Sequence, residues 1–115
     1  MAWGIRERSA GRVTIVEVSG RVTLGESADA VEEKLQEIVA RGAQQVLLDL
    51  SGVEVLDSRG IRALVRAYIS MQKRQGQLKL MMLSPRIRQV LQITRLLNVF
   101  EVYDDEATAL GSFAQ

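Results

Sequence analysis

The spacing of apolar positions changes several times along the chain, and each change marks an element. Residues 5–9 and 13–18 alternate in part and are rich in β-branched side chains. With Ala10, Gly11 and Arg12 between them they predict a β-hairpin, its second strand the stronger. Thr23-x-x-Glu26 has the form of a capping box, and Ala28, Val31, Leu35, Ile38 and Val39 fall on one face of the helix that follows, which should stop at Gly42. The unbroken run Val46-Leu47-Leu48-Asp49-Leu50 predicts a strand buried on both faces, then a turn at Ser51-Gly52 and a short extended piece over 53–56. A helical period begins just past Ser58 with Ile61, Leu64, Val65 and Tyr68, running to about Gln75 and stopping at Gly76.

Residues 78–83, LKLMML, predict a third buried strand with Met81-Met82 as core filling, and Ser84-Pro85 a helix start. That helix should bury Ile87, Val90, Leu91, Thr94 and Leu97. A last strand is expected over 99–103, and Asp104-Asp105-Glu106 should open a final helix that packs through Ala107, Leu110 and Phe113. Strands alternating with helices behind a hairpin define an α/β fold with a mixed, mostly parallel sheet of about five strands and about four helices, the antiparallel strand at one edge. Ligands of such sheets gather outside the carboxyl ends of the strands, where Ser58 and the loop 19–25 both fall.

Asp57 and Ser58 therefore lie where a helix begins, on a turn that Gly60 keeps slim. The first backbone N–H groups of a helix lack partners and carry partial positive charge, which suits an anion or a phosphate. Asp and Ser are equally common N-cap residues, so spacing alone leaves open a purely structural role for Ser58. Behind it Arg59, Arg62, Arg66 and Lys73 recur at helical spacing as a basic stripe, while the outer face of the preceding helix carries Glu26, Asp29, Glu32, Glu33 and Glu37 against Lys34 and Arg41. The stripe can be a solvated face, pair with the acidic helix, or face a partner.

Composition narrows the chemistry. With 115 residues and 47% of them hydrophobic, one domain (1–115, core about 5–113) with one core is expected. Cysteine and histidine are both absent, which removes disulfides, thiolate and histidine-activated nucleophiles, and the common zinc ligands. A hydrolase built on Ser58 would have only Asp57 nearby as an acid, and no Walker loop or G-x-G-x-x-G is present, so neither an enzyme nor a cofactor is expected. A net charge of +1 and few aromatic residues give no pull toward nucleic acid or an anionic membrane. No apolar run approaches the roughly 20 residues of a membrane span, and the opening Met1-Ala2-Trp3-Gly4-Ile5-Arg6 lacks a signal-peptide core. The expectation is a cytoplasmic protein in which nothing demands more than a monomer.

The order of these elements, with Val46-Leu47-Leu48-Asp49-Leu50-Ser51 leading to Asp57-Ser58-x-Gly60, Gly20 closing the second strand, and Leu78-Lys79-Leu80 before Ser84-Pro85, resembles the STAS family and within it the single-domain anti-sigma factor antagonists. The resemblance spans nearly the whole chain. It implies that Ser58 accepts a phosphate from an anti-sigma factor that is also a serine kinase. Unphosphorylated protein would bind that partner and free the sigma factor; phosphorylated protein would not, and a phosphatase would reset it. Asp57 and Gly60 would shape the turn, and Thr23, Arg59, Arg62 and Arg66 would face the partner. The chain departs from the family pattern in carrying Arg59 and Arg62 where small residues are common, and Thr23 where an acid is common. A constitutive STAS interaction or scaffold domain, with Ser58 only a helix cap, is the alternative.

Overall fold

The structure, a computed structural model, describes residues 3–113; Met1, Ala2, Ala114 and Gln115, at the ends of the expected domain, lie outside the described residues. Strands β1 (Trp3–Ala10) and β2 (Val13–Val22) form the expected antiparallel hairpin. β2 runs past the predicted end at Val18, and Gly20 lies inside it because β3 continues to pair alongside. Helix α1 (Glu26–Ala40) buries Ala28, Val31, Leu35, Ile38 and Val39 as the period predicts. The capping box does not form: Gly25, at φ 114, is the N-cap without a side-chain bond. The Ser27 hydroxyl closes the turn instead, accepting from Thr23 N–H at 3.0 Å and donating to the Thr23 carbonyl at 3.2 Å.

Strand β3 (Gln45–Leu56) is continuous through Ser51-Gly52, where a turn was expected. Between the pairs Glu17↔Asp49 and Ser19↔Gly52, and again between Gly20↔Val53 and Arg21↔Val55, β3 uses one more residue than β2. These bulges absorb the polar Ser-Gly step without breaking the ladder. Helix α2 (Ser58–Lys73) ends earlier than predicted, Gln75 rather than Gly76 taking the left-handed position (φ 59). β4 (Gln77–Met81) stops before Met82, and helix α3 (Pro85–Ile93) starts at the expected Ser84-Pro85. α3 ends before Thr94, which is exposed and folds its hydroxyl back on to the Val90 carbonyl at 2.9 Å. β5 is only Val102–Tyr103, and α4 (Glu106–Gly111) buries Ala109, leaving Ala107 exposed.

The sheet order is β1-β2-β3-β4-β5, with β1 antiparallel and the rest parallel, the expected mixed α/β architecture with four helices. One face, from Val16, Val18, Leu48, Leu50 and Leu80, packs on α1, α2 and α3. The other face packs Ile15, Leu47 and Met81 against Ala109 and Phe113. Lys79 is buried on that second face, its Nζ 2.9 Å from the Ser112 carbonyl and 4.7 Å from the Phe113 ring centre. Among the described residues no helix is long and apolar enough to cross a membrane.

Candidate functional site

β3 continues through residues 50–56 after its last β4 partner, Asp49, so the turn at its end stands clear of β4. Asp57, with extended backbone, is the N-cap of α2. Its Oδ1 accepts from the N–H groups of Arg59 and Gly60, each at 3.0 Å, and its Oδ2 accepts from Leu24 N–H at 2.8 Å. Burial alone would raise its pKa, but the bonds from Leu24, Gly60 and Arg59 outweigh it and hold the carboxyl below its usual range. The same side chain thus starts α2 and pins the loop between β2 and α1.

Gly60 is buried where no side chain fits. A Cβ there would lie 2.6 Å from the Val22 carbonyl oxygen and 2.7 Å from Leu56 Cδ1. This close approach lets α2 start against the end of β2. Ser58 is the first helical residue, exposed, and its hydroxyl has no hydrogen-bond partner among the described residues. The cap role left open for Ser58 therefore belongs to Asp57, which corrects the alternative reading on that point. Ile61 N–H donates to the Asp57 carbonyl at 2.9 Å, so of the first four N–H groups of α2 that of Ser58 is the one without a partner among the described residues.

The basic stripe is largely answered from within the molecule. Arg59 donates to Glu32 Oε1 at 2.7 Å and to Asp29 Oδ1 at 3.0 Å, and Arg66 donates to Glu32 Oε2 at 2.8 Å. The bond from Arg66, opposed by burial and joined by that from Arg59, lowers the pKa of Glu32. These pairs tie α1 to α2. Arg62 is exposed and has no such partner among the described residues.

The structure gathers Asp57, Ser58, Gly60 and Thr23 at one edge, with Arg62 one turn along α2, whereas Arg59 and Arg66 turn toward α1. Sequence reasoning missed Leu24, which is 78% exposed and held beside the turn by its own backbone bond to Asp57. Its only signal was a large apolar side chain between Thr23 and Gly25, outside any helical or strand period. Among the described residues no three acidic side chains gather to hold a metal ion. What the site offers chemically is an exposed primary hydroxyl, without a hydrogen-bond partner among the described residues, on a turn fixed by Asp57.

The STAS domain model matches residues 5–109 of the chain. The anti-sigma-B factor antagonist of Listeria monocytogenes is 30% identical over 110 residues, covering 96% of this chain and 95% of that protein. An anti-sigma factor antagonist from Mycobacterium paratuberculosis has a TM-score of 0.88 at 27% identity, over 97% of this chain and 94% of its own. The Bacillus cell fate determinant SpoIIAA in its phosphorylated form shares the fold, with a TM-score of 0.74 at 16% identity over 96% of this chain and 97% of its own.

Proposed function

The chain belongs to the STAS domain family, and on that premise we propose that it is a cytoplasmic, monomeric anti-sigma factor antagonist working as a partner switch. Unphosphorylated, it binds an anti-sigma factor with serine kinase activity. That partner transfers the γ-phosphoryl group of a nucleoside triphosphate to Ser58 Oγ: the hydroxyl O–H and the bridging P–O bond break, an Oγ–P bond forms, and nucleoside diphosphate and a proton leave. A phosphatase hydrolyses the ester and restores the hydroxyl. Relatives named as anti-sigma factor antagonists support the binding role.

The observation that carries the reading is the division of labour on the turn. Asp57 takes every capping bond, so the Ser58 hydroxyl is left exposed on a backbone that does not depend on it. A phosphate adds about −1.5 to −2 charges. The fold loses nothing, while a partner fitted to a neutral hydroxyl and to Leu24 must desolvate a dianion, and a loss of about 3 kcal/mol is more than a hundredfold in affinity. Thr23 and Leu24 on one side and Arg62 on the other form the docking rim; Arg59 and Arg66 support it by fixing α2 to α1.

Ser58→Asp is expected to abolish binding to the host's anti-sigma kinase, with Ser58→Ala binding like wild type and both melting within a few degrees of it. Wild-type affinity in Ser58→Asp overturns the switch. Intact-mass spectrometry of protein from its own cells, with peptide mapping, should find a single phosphate on Ser58.

A further inference from the structure

We propose that Arg62 is the intramolecular counter-ion of the Ser58 phosphate, so that the chain clamps its own modification on the flank of α2. The inference rests on Ser58 being the acceptor, as proposed above. The usual sink for a phosphate at this place, the free N–H groups of the helix start, is reduced to the N–H of Ser58 itself: Arg59 and Gly60 N–H are held by Asp57 Oδ1 and Ile61 N–H by the Asp57 carbonyl. Two of the three guanidiniums on α2 are also taken, Arg59 by Asp29 and Glu32, and Arg66 by Glu32.

Arg62 is left. It is exposed, without a partner among the described residues, and four residues after Ser58 on the same helix. Positions four apart on a helix are neighbours, and an anion N-terminal to the cation is the favoured order. Its own helical neighbours are Ser58, Arg59, Val65 and Arg66, so no carboxylate at those positions competes for it. A guanidinium fork matches phosphate oxygens two at a time. The charged groups on the elements around the phosphate are then Asp57 on the turn, Arg59 and Arg62 on α2, Glu26, Asp29 and Glu32 on α1, Arg21 at the end of β2 and Glu54 near the end of β3; Thr23, Leu24 and Gly25 carry none. Phosphorylation thereby changes the docking rim twice, adding a dianion at Ser58 and withdrawing the free cation of Arg62.

The test uses full-length protein with phosphoserine installed at position 58 during translation, which needs no kinase. On phosphorylation the Arg62 Nε–H resonance should shift while those of Arg59 and Arg66 hold still. In a ³¹P titration the second ionisation of the phosphate, ordinarily near about 6, should lie about half a unit or more lower than in Arg62→Gln. Arg62→Lys should restore part of that difference, and Arg59→Gln should leave it in place. Coincident ³¹P titrations for wild type and Arg62→Gln overturn the clamp, thermal melts having shown both folded. The two readings fail separately: loss of partner binding in Ser58→Asp with coincident titrations removes the clamp alone, and a clamped phosphate with undiminished binding removes the switch alone.

Discussion

Two strand-to-helix turns share the carboxyl edge of the sheet, from β3 to α2 and from β4 to α3, and both begin with an extended N-cap whose side chain bonds the third helical residue. At α3 the cap is Ser84, accepting a single 3.3 Å bond from Ile87 N–H, and the first helical position is Pro85. At α2 the cap is Asp57, accepting three bonds, one of them from a different loop, and the first helical position is Ser58. The third position is a buried isoleucine in α3 and a glycine without room for a Cβ in α2. A single hydroxyl is enough to start a helix. The carboxylate, the bond to Leu24 and the slim Gly60 are therefore an excess over what α2 needs, and they serve to hold the edge of the site rigid while Ser58 stays uncommitted.

The contrast breaks most readily at the third helical position. Gly60→Val should cost about 3 kcal/mol, because the clash is with the backbone carbonyl of Val22, and lower the melting temperature by more than about 10 °C, while Ile87→Val in α3 costs about 1 kcal/mol. A melt of Gly60→Val within a few degrees of wild type would mean that α2 can lift off β2. Next come the caps: Asp57→Ala should lose about 2 kcal/mol and Ser84→Ala about 1 kcal/mol by denaturant titration, and equal losses would erase the distinction. The Asp57 contribution is also dependent on acid. Its folded pKa lies below the ordinary 3.8, so the stability it adds is complete above that value and is lost as the pH falls through the folded pKa. The gap in stability between wild type and Asp57→Asn should accordingly narrow in acid. Smallest is Ser58→Ala, expected to stay within about 0.5 kcal/mol of wild type, since the hydroxyl is exposed and has no hydrogen-bond partner among the described residues.

Periodicity served well wherever burial decides structure. The buried face of α1, the apolar strands β3 and β4, the Ser84-Pro85 start and the mixed sheet were all readable, because each is a local pattern imposed by one core. It failed where a neighbour in space overrides a local signal. Ser51-Gly52 looks like a turn but is carried along by β2, and the Thr23 box yields to Ser27 because Thr23 is held by its backbone. Thr94 fits the helical stripe yet lies just past the end of α3. At the site, the turn was legible and its inner assignment was not: Asp57 and Ser58 are both good caps, and only the position of the Gly60 and Leu24 N–H groups separates them. The pairing of Arg59 and Arg66 with Glu32 was one of several fates open to the stripe, and Leu24 gave no pattern at all.

In this sheet spatial order and chain order coincide, β1 to β5. A chain emerging from the ribosome therefore never has to hold a gap for a strand not yet made, and each new strand finds its partner already waiting at the growing edge. The turn carrying Ser58 is built from β2, the Leu24 loop, β3 and the start of α2, all of which precede in the chain the helix α4 that closes the far face over Lys79. All the residues that build the Ser58 turn are thus translated before β4, and the later strands and helices extend the sheet from its edge without entering between the earlier strands.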